Sequence, residues 1–370
     1  MNEHSRRNER KPCYDVPVYR TRVHRGSGRP TREDVARQAN ISGATVSRVL
    51  SGRTDVPIAP ETRAKVLEVA AQLGYHPNSA ARALNNGRTG LVGFWMSLQY
   101  SRYRGQVLHR MRTLLGGTEM ALAVTDVDEE YQWDHNFSRA LRVPVDGILA
   151  FDNSASVDAF AAQRAKLAPN TPFVCMGAYW SDAGSHVGVD LRAGADLAMD
   201  HLLATGRRRI AHMAPWTSEL IASGPRHDAY LEKMAAAGLT PWIIGVERDE
   251  FAHVKKALAA LDRLPEAILC MNDDLALACA SVLQGMGVRV GEDVLLVGFD
   301  GIEETAHVPV PITTVRQPIE AMCDLAWAFL EAQMRDPEAP LGKKILVPQL
   351  IVRESTLGPL APTLEEETPQ

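Results

Sequence analysis

Apolar residues along this chain change their rhythm at two places. The first 29 residues show no periodicity. From Thr31 the spacing becomes helical, with Val35, Ala36 and Ala39 marking one face. That run breaks at Asn40-Ile41-Ser42. A second short helix, Gly43 to Leu50, then turns Val46, Val49 and Leu50 inward. Pro60 opens a third helix, Val66, Ala70 and Leu73 line its inner face, and Gly74 suits its end. Thr31 can cap the first helix, with Asp34 three residues on in a variant of the capping box. Three short helices with a tight turn between the first two predict a helix-turn-helix domain.

The second change comes at Gly90. Apolar runs at Leu91–Met96, Ala121–Thr125, Gly147–Phe151, Phe173–Met176, Ile210–Ala214, Ile268–Met271 and Val294–Phe299 alternate with stretches rich in Ala and Leu. This is the βαβ rhythm of parallel sheets covered on both faces. The stretch is too long for one doubly wound unit, so two α/β lobes with a cleft between them are expected. Between the two regions, Asn78 and Gly87 bracket about two turns of helix. A helix that short is marginal alone in water and needs something to hold it.

Composition narrows the classes. With 45% hydrophobic and 23% charged residues the 370-residue chain reads as globular. It has neither an apolar stretch long enough to span a membrane nor the apolar run of a signal peptide, so a cytoplasmic protein is expected. The cysteines Cys13, Cys175, Cys270, Cys279 and Cys323 never fall at Cys-x-x-Cys spacing, which points to small apolar fillers and away from disulfides or zinc. The net charge of −5 hides an asymmetry. Residues 1–90 hold 16 Lys and Arg against 8 Asp and Glu, and the remainder holds 24 against 37. A basic first quarter on an acidic body suggests that one end meets a polyanion. The Arg-rich residues 1–28 read either as a disordered arm or as the product of a start codon placed too early.

The residues also carry a resemblance. Asp34-Val35-Ala36, Ser42, Thr45-Val46-Ser47-Arg48-Val49-Leu50, Pro60-Glu61-Thr62-Arg63, Leu73-Gly74-Tyr75, Pro77-Asn78, Ala81-Arg82 and Leu84 resemble the helix-turn-helix and hinge of the lactose/galactose-repressor (LacI/GalR) family. In the body Val145-Asp146-Gly147-Ile148, Gly206-Arg207-Arg208-Arg209, Asn272-Asp273, Val297-Gly298-Phe299-Asp300, Thr313-Thr314-Val315-Arg316-Gln317-Pro318 and Val352-Arg353-Glu354-Ser355 are similar to its landmarks, in order over residues 30–357. The resemblance implies a body like periplasmic binding proteins, a homodimer on a palindromic double-stranded operator, probed by a small-molecule effector in the cleft. The implied organisation is a basic arm (1–28), a helix-turn-helix domain (29–76), a hinge (77–89), a two-lobed body (90–357) and a tail (358–370). The tail carries three prolines and no leucine heptad, so it offers no tetramer-forming coiled coil.

Candidate sites follow. The start of a recognition helix meets base edges, which places Gly43, Ala44 and Arg48 there. Arg48 can pair bidentately with guanine, or contact a phosphate. Ala44 can offer a thymine methyl a contact, and Gly43 nothing. Thr45, Ser47 and Arg53 read as phosphate contacts, and Arg82 falls among the DNA-binding residues of the hinge. Asn40 stands where the family usually has Gly, and Asn tolerates the left-handed conformation such a turn needs. By the resemblance, Leu84 is the wedge that hinge helices push between base pairs, with packing against the body as its alternative. For the effector, Arg226, Asn272 and Asp300 match cleft positions and Ser97 is a weaker fourth. Arg and Asp together suit a polyol, because the carboxylate accepts from hydroxyls while the guanidinium donates. A sugar or sugar derivative is therefore expected, with a purine or other metabolite as alternative. An interlobe salt bridge is the structural alternative for Arg226, and helix capping is the reading for Asp273. Tyr100–Arg104 departs from the family's Asn-Pro-Phe and reads otherwise as a surface helix start. Trp95, Trp180 and Trp216 lie near strand ends, where core packing competes with stacking on a sugar. Asp126-x-Asp128-Glu129-Glu130 reads as an acidic loop rather than a metal site. No cofactor is implied, and no nucleophile elbow, phosphate loop or metalloprotease motif points to an enzyme.

Overall fold

The computed structural model describes residues 30–50, 56–75, 88–127, 143–152, 171–178, 184–215, 224–247 and 251–358. The expected arm, Arg53, residues 77–87 of the hinge with Arg82 and Leu84, Trp180, Trp216, and Asp128 to Glu130 lie outside them. The chain divides into two compact units, Met1–Arg82 and Ala83–Gln370.

In the first unit, α1 (Arg32–Ala39), α2 (Gly43–Leu50) and α3 (Pro60–Leu73) enclose a small apolar core. Thr31 caps α1 reciprocally: the Asp34 amide donates to the Thr31 hydroxyl at 3.3 Å, and the Thr31 amide donates to the Asp34 carboxylate at 2.9 Å. Asn40 ends α1 at φ 55°, ψ 48°, the left-handed turn expected of it. Val35, Ala39, Val46, Val49, Val66, Val69 and Ala70 are buried, with Leu50, Leu73 and Tyr75 packed at their edge. Val69 joins this core in addition to the positions read from periodicity.

The second unit holds two six-stranded sheets. The first has the order β11-β5-β4-β3-β1-β2, from β1 (Leu91–Met96), β2 (Ala121–Asp126), β3 (Gly147–Phe151), β4 (Phe173–Gly177), β5 (Ser185–Val189) and β11 (Lys343–Leu346), all parallel. The second has the order β12-β10-β9-β8-β6-β7, from β6 (Ile210–Pro215), β7 (Trp242–Val246), β8 (Ala267–Cys270), β9 (Leu295–Asp300), β10 (Thr313–Arg316) and β12 (Gln349–Ile351). Only β12 runs antiparallel among the described strands. The helices are α4 (Arg102–Leu115), α5 (Leu191–Ala204), α6 (Pro225–Ala236), α7 (Phe251–Ala259), α8 (Asp273–Gly285) and α9 (Ile319–Arg335). Central strands such as β3, β4 and β9 are buried along their whole length, as sheets covered on both faces require. The chain crosses between lobes after β5, after β10 and between β11 and β12, because α5 packs on the second sheet and α9 on the first.

At the entry to this body, Asp146 accepts from the Thr89 amide (2.6 Å), the Thr89 hydroxyl (2.8 Å) and the Gly90 amide (2.9 Å). The point where the chain leaves residues 77–89 is thus held to the first lobe. Trp95 is buried edge-on against Phe173, with ring centroids 6.1 Å apart, so core packing is its role. Cys175, Cys270, Cys279 and Cys323 are buried free thiols.

His212, fully buried on β6, supplies a pH test. A carbonyl can only accept, so its Nδ1 carries the hydrogen facing the Leu269 oxygen at 3.0 Å. Its Nε2 has no partner among the described residues. Burial pushes its pKa down to about 4, offset by that carbonyl and reinforced by His227 and Arg226. The folded protein then binds fewer protons than the unfolded chain between about pH 4 and 6.5. Stability from this group is present above pH 6.5 and is lost as pH falls toward 4, on the order of 2 kcal/mol by pH 5. Asp273 acts the other way, since burial raises it to about 6, so a variant comparison is needed. Urea melts at pH 7 and pH 5 should show a smaller acid loss for His212→Asn, which keeps a donor for Leu269, than for wild type. Equal losses would remove His212 from the acid response.

Candidate functional site

In the first unit α2 presents Ala44 and Arg48 to solvent, with Gly43, Thr45 and Ser47 half-buried beside them. Ser42 accepts from the Thr45 amide at 3.2 Å, and the two hydroxyls lie 2.9 Å apart, so the start of α2 is held by side-chain bonds. A Cβ at Gly43 would meet nothing nearer than Arg32 Nε at 3.8 Å. Packing therefore leaves room for a side chain there, and its absence leaves the leading edge of the helix bare.

In the second unit, polar side chains gather at the carboxyl ends of strands from both sheets. Asp300 closes β9 and is buried, at φ 125°, in backbone that favours glycine. Its carboxylate accepts from Gln317 Nε2 at 2.8 Å, and Gln317 Oε1 accepts from the Tyr103 hydroxyl, on the first lobe, at 2.9 Å. Burial and the nearby Asp273 charge hold the Asp300 carboxyl well above the ordinary range, while Arg226 pulls it back. Arg226, at the start of α6, donates to the Met271 carbonyl at 2.7 Å and lies 5.1 Å above the Phe299 ring. Among the described residues no ion pair joins it to the first lobe, though its charge reaches the Asp152 carboxylate there. Arg226, Asn272 and Asp300 are thus neighbours. Ser97, half-buried after β1, accepts from the Gln99 amide at 3.4 Å and makes no hydrogen bond to the other three.

Two sequence readings need correction here. The cap of α8 is Asn272, whose side chain accepts from the Leu275 amide at 2.7 Å. Asp273 is instead buried and accepts from the Gly301 amide (2.7 Å), the Ile302 amide (2.9 Å) and the Thr314 hydroxyl (2.7 Å). It pins the loop after Asp300. The other correction concerns Tyr100–Arg104. Ser101 does cap a helix there, and Tyr100 is exposed, but the segment joins the lobes. The Arg102 amide donates to Asp274 at 3.1 Å, its guanidinium pairs with the same carboxylate, and Glu304 stands 3.7 Å away.

Three residues escaped the sequence reading of the site. Tyr103 sat inside the segment noted as atypical, and Gln317 inside a landmark, yet neither pattern says which side chain faces the cleft. Asp152 follows β3, where strand-end placement was the available signal. Asp126 accepts from the Leu98 amide at 3.1 Å, and no group of three metal-ligating side chains occurs among the described residues.

A helix-turn-helix unit and a two-lobed body with donor and acceptor side chains at its strand ends define a DNA-binding regulator that senses a small molecule. Residues 31–78 match the family described as bacterial regulatory proteins, lacI family, and residues 199–356 match the periplasmic binding protein-like domain. The chain thus joins a DNA-binding module of the lacI type to a periplasmic binding protein-like body, the organisation of the lacI family of bacterial transcription regulators. It is 28% identical over 337 residues to the HTH-type transcriptional repressor PurR of Vibrio cholerae serotype O1, covering 88% of this chain and 97% of that protein. It is 26% identical over 331 residues to the ribose operon repressor of Halalkalibacterium halodurans, covering 89% and 97%. The solved complex of the transcriptional regulator CelR with cellobiose is similar at 26% identity and a TM-score of 0.60, over 88% of this chain and all of that one. These relatives are regulators and not enzymes.

Proposed function

We propose that this regulator is a cytoplasmic repressor that grips a near-palindromic operator as a homodimer and changes that grip when a sugar or sugar derivative enters the cleft. The observation that carries the effector reading is the placement of Arg226, against Phe299 and the Met271 carbonyl, close enough to attract the Asp300 carboxylate beside Asn272. A guanidinium and a carboxylate in one space match the alternating donors and acceptors of vicinal hydroxyls. Relatives named for a ribose operon and solved with cellobiose support it. The Tyr103 and Phe151 rings, 5.8 Å apart near Asp300, favour a planar purine as the second reading. On the DNA side, Arg48 reads a base, Thr45, Ser47 and Arg53 hold phosphates, and Arg82 and Leu84 act in the minor groove. The bare edge at Gly43 and Ala44 leaves Arg48 as the main reader on α2. Effector coupling then shifts the lobes, and with them the chain at Thr89 and Gly90, by about 1–3 kcal/mol.

Operator selection from random duplexes should return a palindrome with half-sites about 10 bp apart. Arg48→Ala should then lose about 1–3 kcal/mol of preference at one symmetric base pair. Equal weakening on every sequence would reassign Arg48 to phosphate. A thermal-shift panel of sugars and nucleobases decides between the two effector classes, and stabilisation by nucleobases alone would remove the sugar reading.

A further inference from the structure

The second carboxylate of the cleft lies on the first lobe. Asp152 follows the last residue of β3 and takes a left-handed backbone, φ 47°, which few residues other than Gly, Asn and Asp adopt. Its amide donates to the Met176 carbonyl at 3.1 Å, continuing the pairing of β3 with β4. Its Oδ1 accepts from the Ala178 amide at 2.6 Å. The neighbouring strand makes room for this. A Cβ on Gly177 would lie 2.1 Å from Oδ1, so the carboxylate sits where the side chain of any other residue at 177 would begin. The preceding residue, Phe151, lies with its ring 5.8 Å from Tyr103, and Tyr103 reaches Asp300 through Gln317. The end of β3 and Asp300 therefore approach one space from opposite lobes.

Their electrostatics agree with that placement. Burial raises the Asp152 carboxyl above its ordinary range, while the Ala178 amide and the Arg104 and Arg226 guanidiniums hold it down. Arg226 does the same for Asp300, and the Asp152 charge raises Asp300 in turn. One guanidinium thus serves two carboxylates, Asp300 buried and Asp152 half-buried, whose ionisation is already opposed.

From this geometry we infer that Asp152 is an effector-binding residue, and that Asp152 and Asp300 together select an uncharged polyhydroxylated ligand over its phosphorylated or carboxylated counterpart. The inference rests on the sugar reading of the cleft and adds the charge class and the residue on the first lobe. Hydroxyls from the ligand donate to both carboxylates, replacing the water each loses on closure. A phosphate or carboxylate in the same space has no hydrogen to donate and adds like charge at short range.

The test uses the full chain, thermal shift and calorimetry. The probes are D-ribose, D-glucose and cellobiose beside ribose 5-phosphate, glucose 6-phosphate and gluconate. A neutral member should stabilise the protein, and its charged counterpart should bind at least 10-fold more weakly. Asp152→Asn, which keeps an oxygen for the Ala178 amide, should weaken the neutral ligand 10-fold or more. Asp152→Gly, which keeps the left-handed backbone and removes the carboxylate, serves if the first variant does not fold. Tighter binding of the charged counterparts, or unchanged affinity in both variants for a neutral sugar that binds wild type, overturns the assignment while leaving a sugar effector in place. Failure of every sugar, neutral or charged, to bind wild type overturns the effector reading and this inference with it.

Discussion

Replacing Asp300 with alanine is expected to weaken a sugar effector about 100-fold or more while operator binding persists, giving a repressor that no longer answers its ligand. The carboxylate is buried at the end of β9, and Gln317 occupies only one of its oxygens. The other acceptor positions are the ones that the hydroxyls of the proposed effector would use. Hydrogen bonds to a charged group contribute roughly 1.5–3 kcal/mol each, so losing two accounts for the expected change. Asp300→Asn is the finer probe. It keeps an acceptor for Gln317 and tolerates the positive φ, but turns one acceptor into a donor. Calorimetry with a sugar found in the thermal-shift panel, run beside operator titrations, measures both quantities. Wild-type affinity in both variants would move the effector away from this carboxylate.

The largest effect on stability is expected at Asp273. Its carboxylate accepts from two backbone amides and one hydroxyl, and all three donors are drawn from the loop after β9 and from β10. The space it occupies is made by Gly298, where a Cβ would stand 2.0 Å from Asp273 Oδ1. Alanine at 273 leaves the Ile302 amide and the Thr314 hydroxyl without an acceptor and the Gly301 amide with only the Thr314 oxygen at 3.2 Å, at about 1–3 kcal/mol for each buried donor left unpaired. Because the loop can relax toward water, a loss of about 3–5 kcal/mol is expected for the unit. Asparagine keeps one oxygen, enough for the Gly301 and Ile302 amides that share Oδ2, and loses the acceptor for the Thr314 hydroxyl, so a smaller loss than for alanine is expected. Urea unfolding of Asp273→Ala and Asp273→Asn checks this, and a loss below about 1 kcal/mol would show that the loop holds without its anchor. Such a variant also disturbs Asp300, which the same loop positions, so effector affinity should fall with stability.

Much of this protein can be read along the chain. Helical spacing around Val35, Val46 and Val66 places the three N-terminal helices, since a small helical unit has no other way to bury so few branched residues. Thr31, Asn40 and Gly74 end their helices as their local chemistry requires, because caps and left-handed turns depend on a few neighbouring atoms. Fully apolar runs mark the central strands β1, β3, β4, β8 and β9, because burial on both faces leaves no polar position. The resemblance marks Arg226, Asn272 and Asp300 as cleft positions, and in the fold Arg226 at a helix start lies against the chain beside the other two, at the ends of β8 and β9.

What the chain pattern leaves open depends on partners distant in sequence. The strands β10, β11 and β12 carry threonines, lysines or glutamine, and only pairing with sheets built elsewhere makes them strands. The exchange of roles between Asn272 and Asp273 is of the same kind. Either side chain suits a helix start, and the choice was made by Gly298, Gly301 and Thr314, which meet Asp273 only after β9 and β10 are in place. Tyr103 faces Gln317 across 214 residues, and Arg102 faces Asp274 across 172. Local periodicity carries no information at that range. Asp152 is the sharpest case: its sequence position marks a strand end, but the missing side chain of Gly177 on the neighbouring strand gives its carboxylate a place to stand. Hydrogen bonding and burial within a few residues act before the fold exists, whereas the geometry of the cleft arises only when two sheets bring their strand ends together.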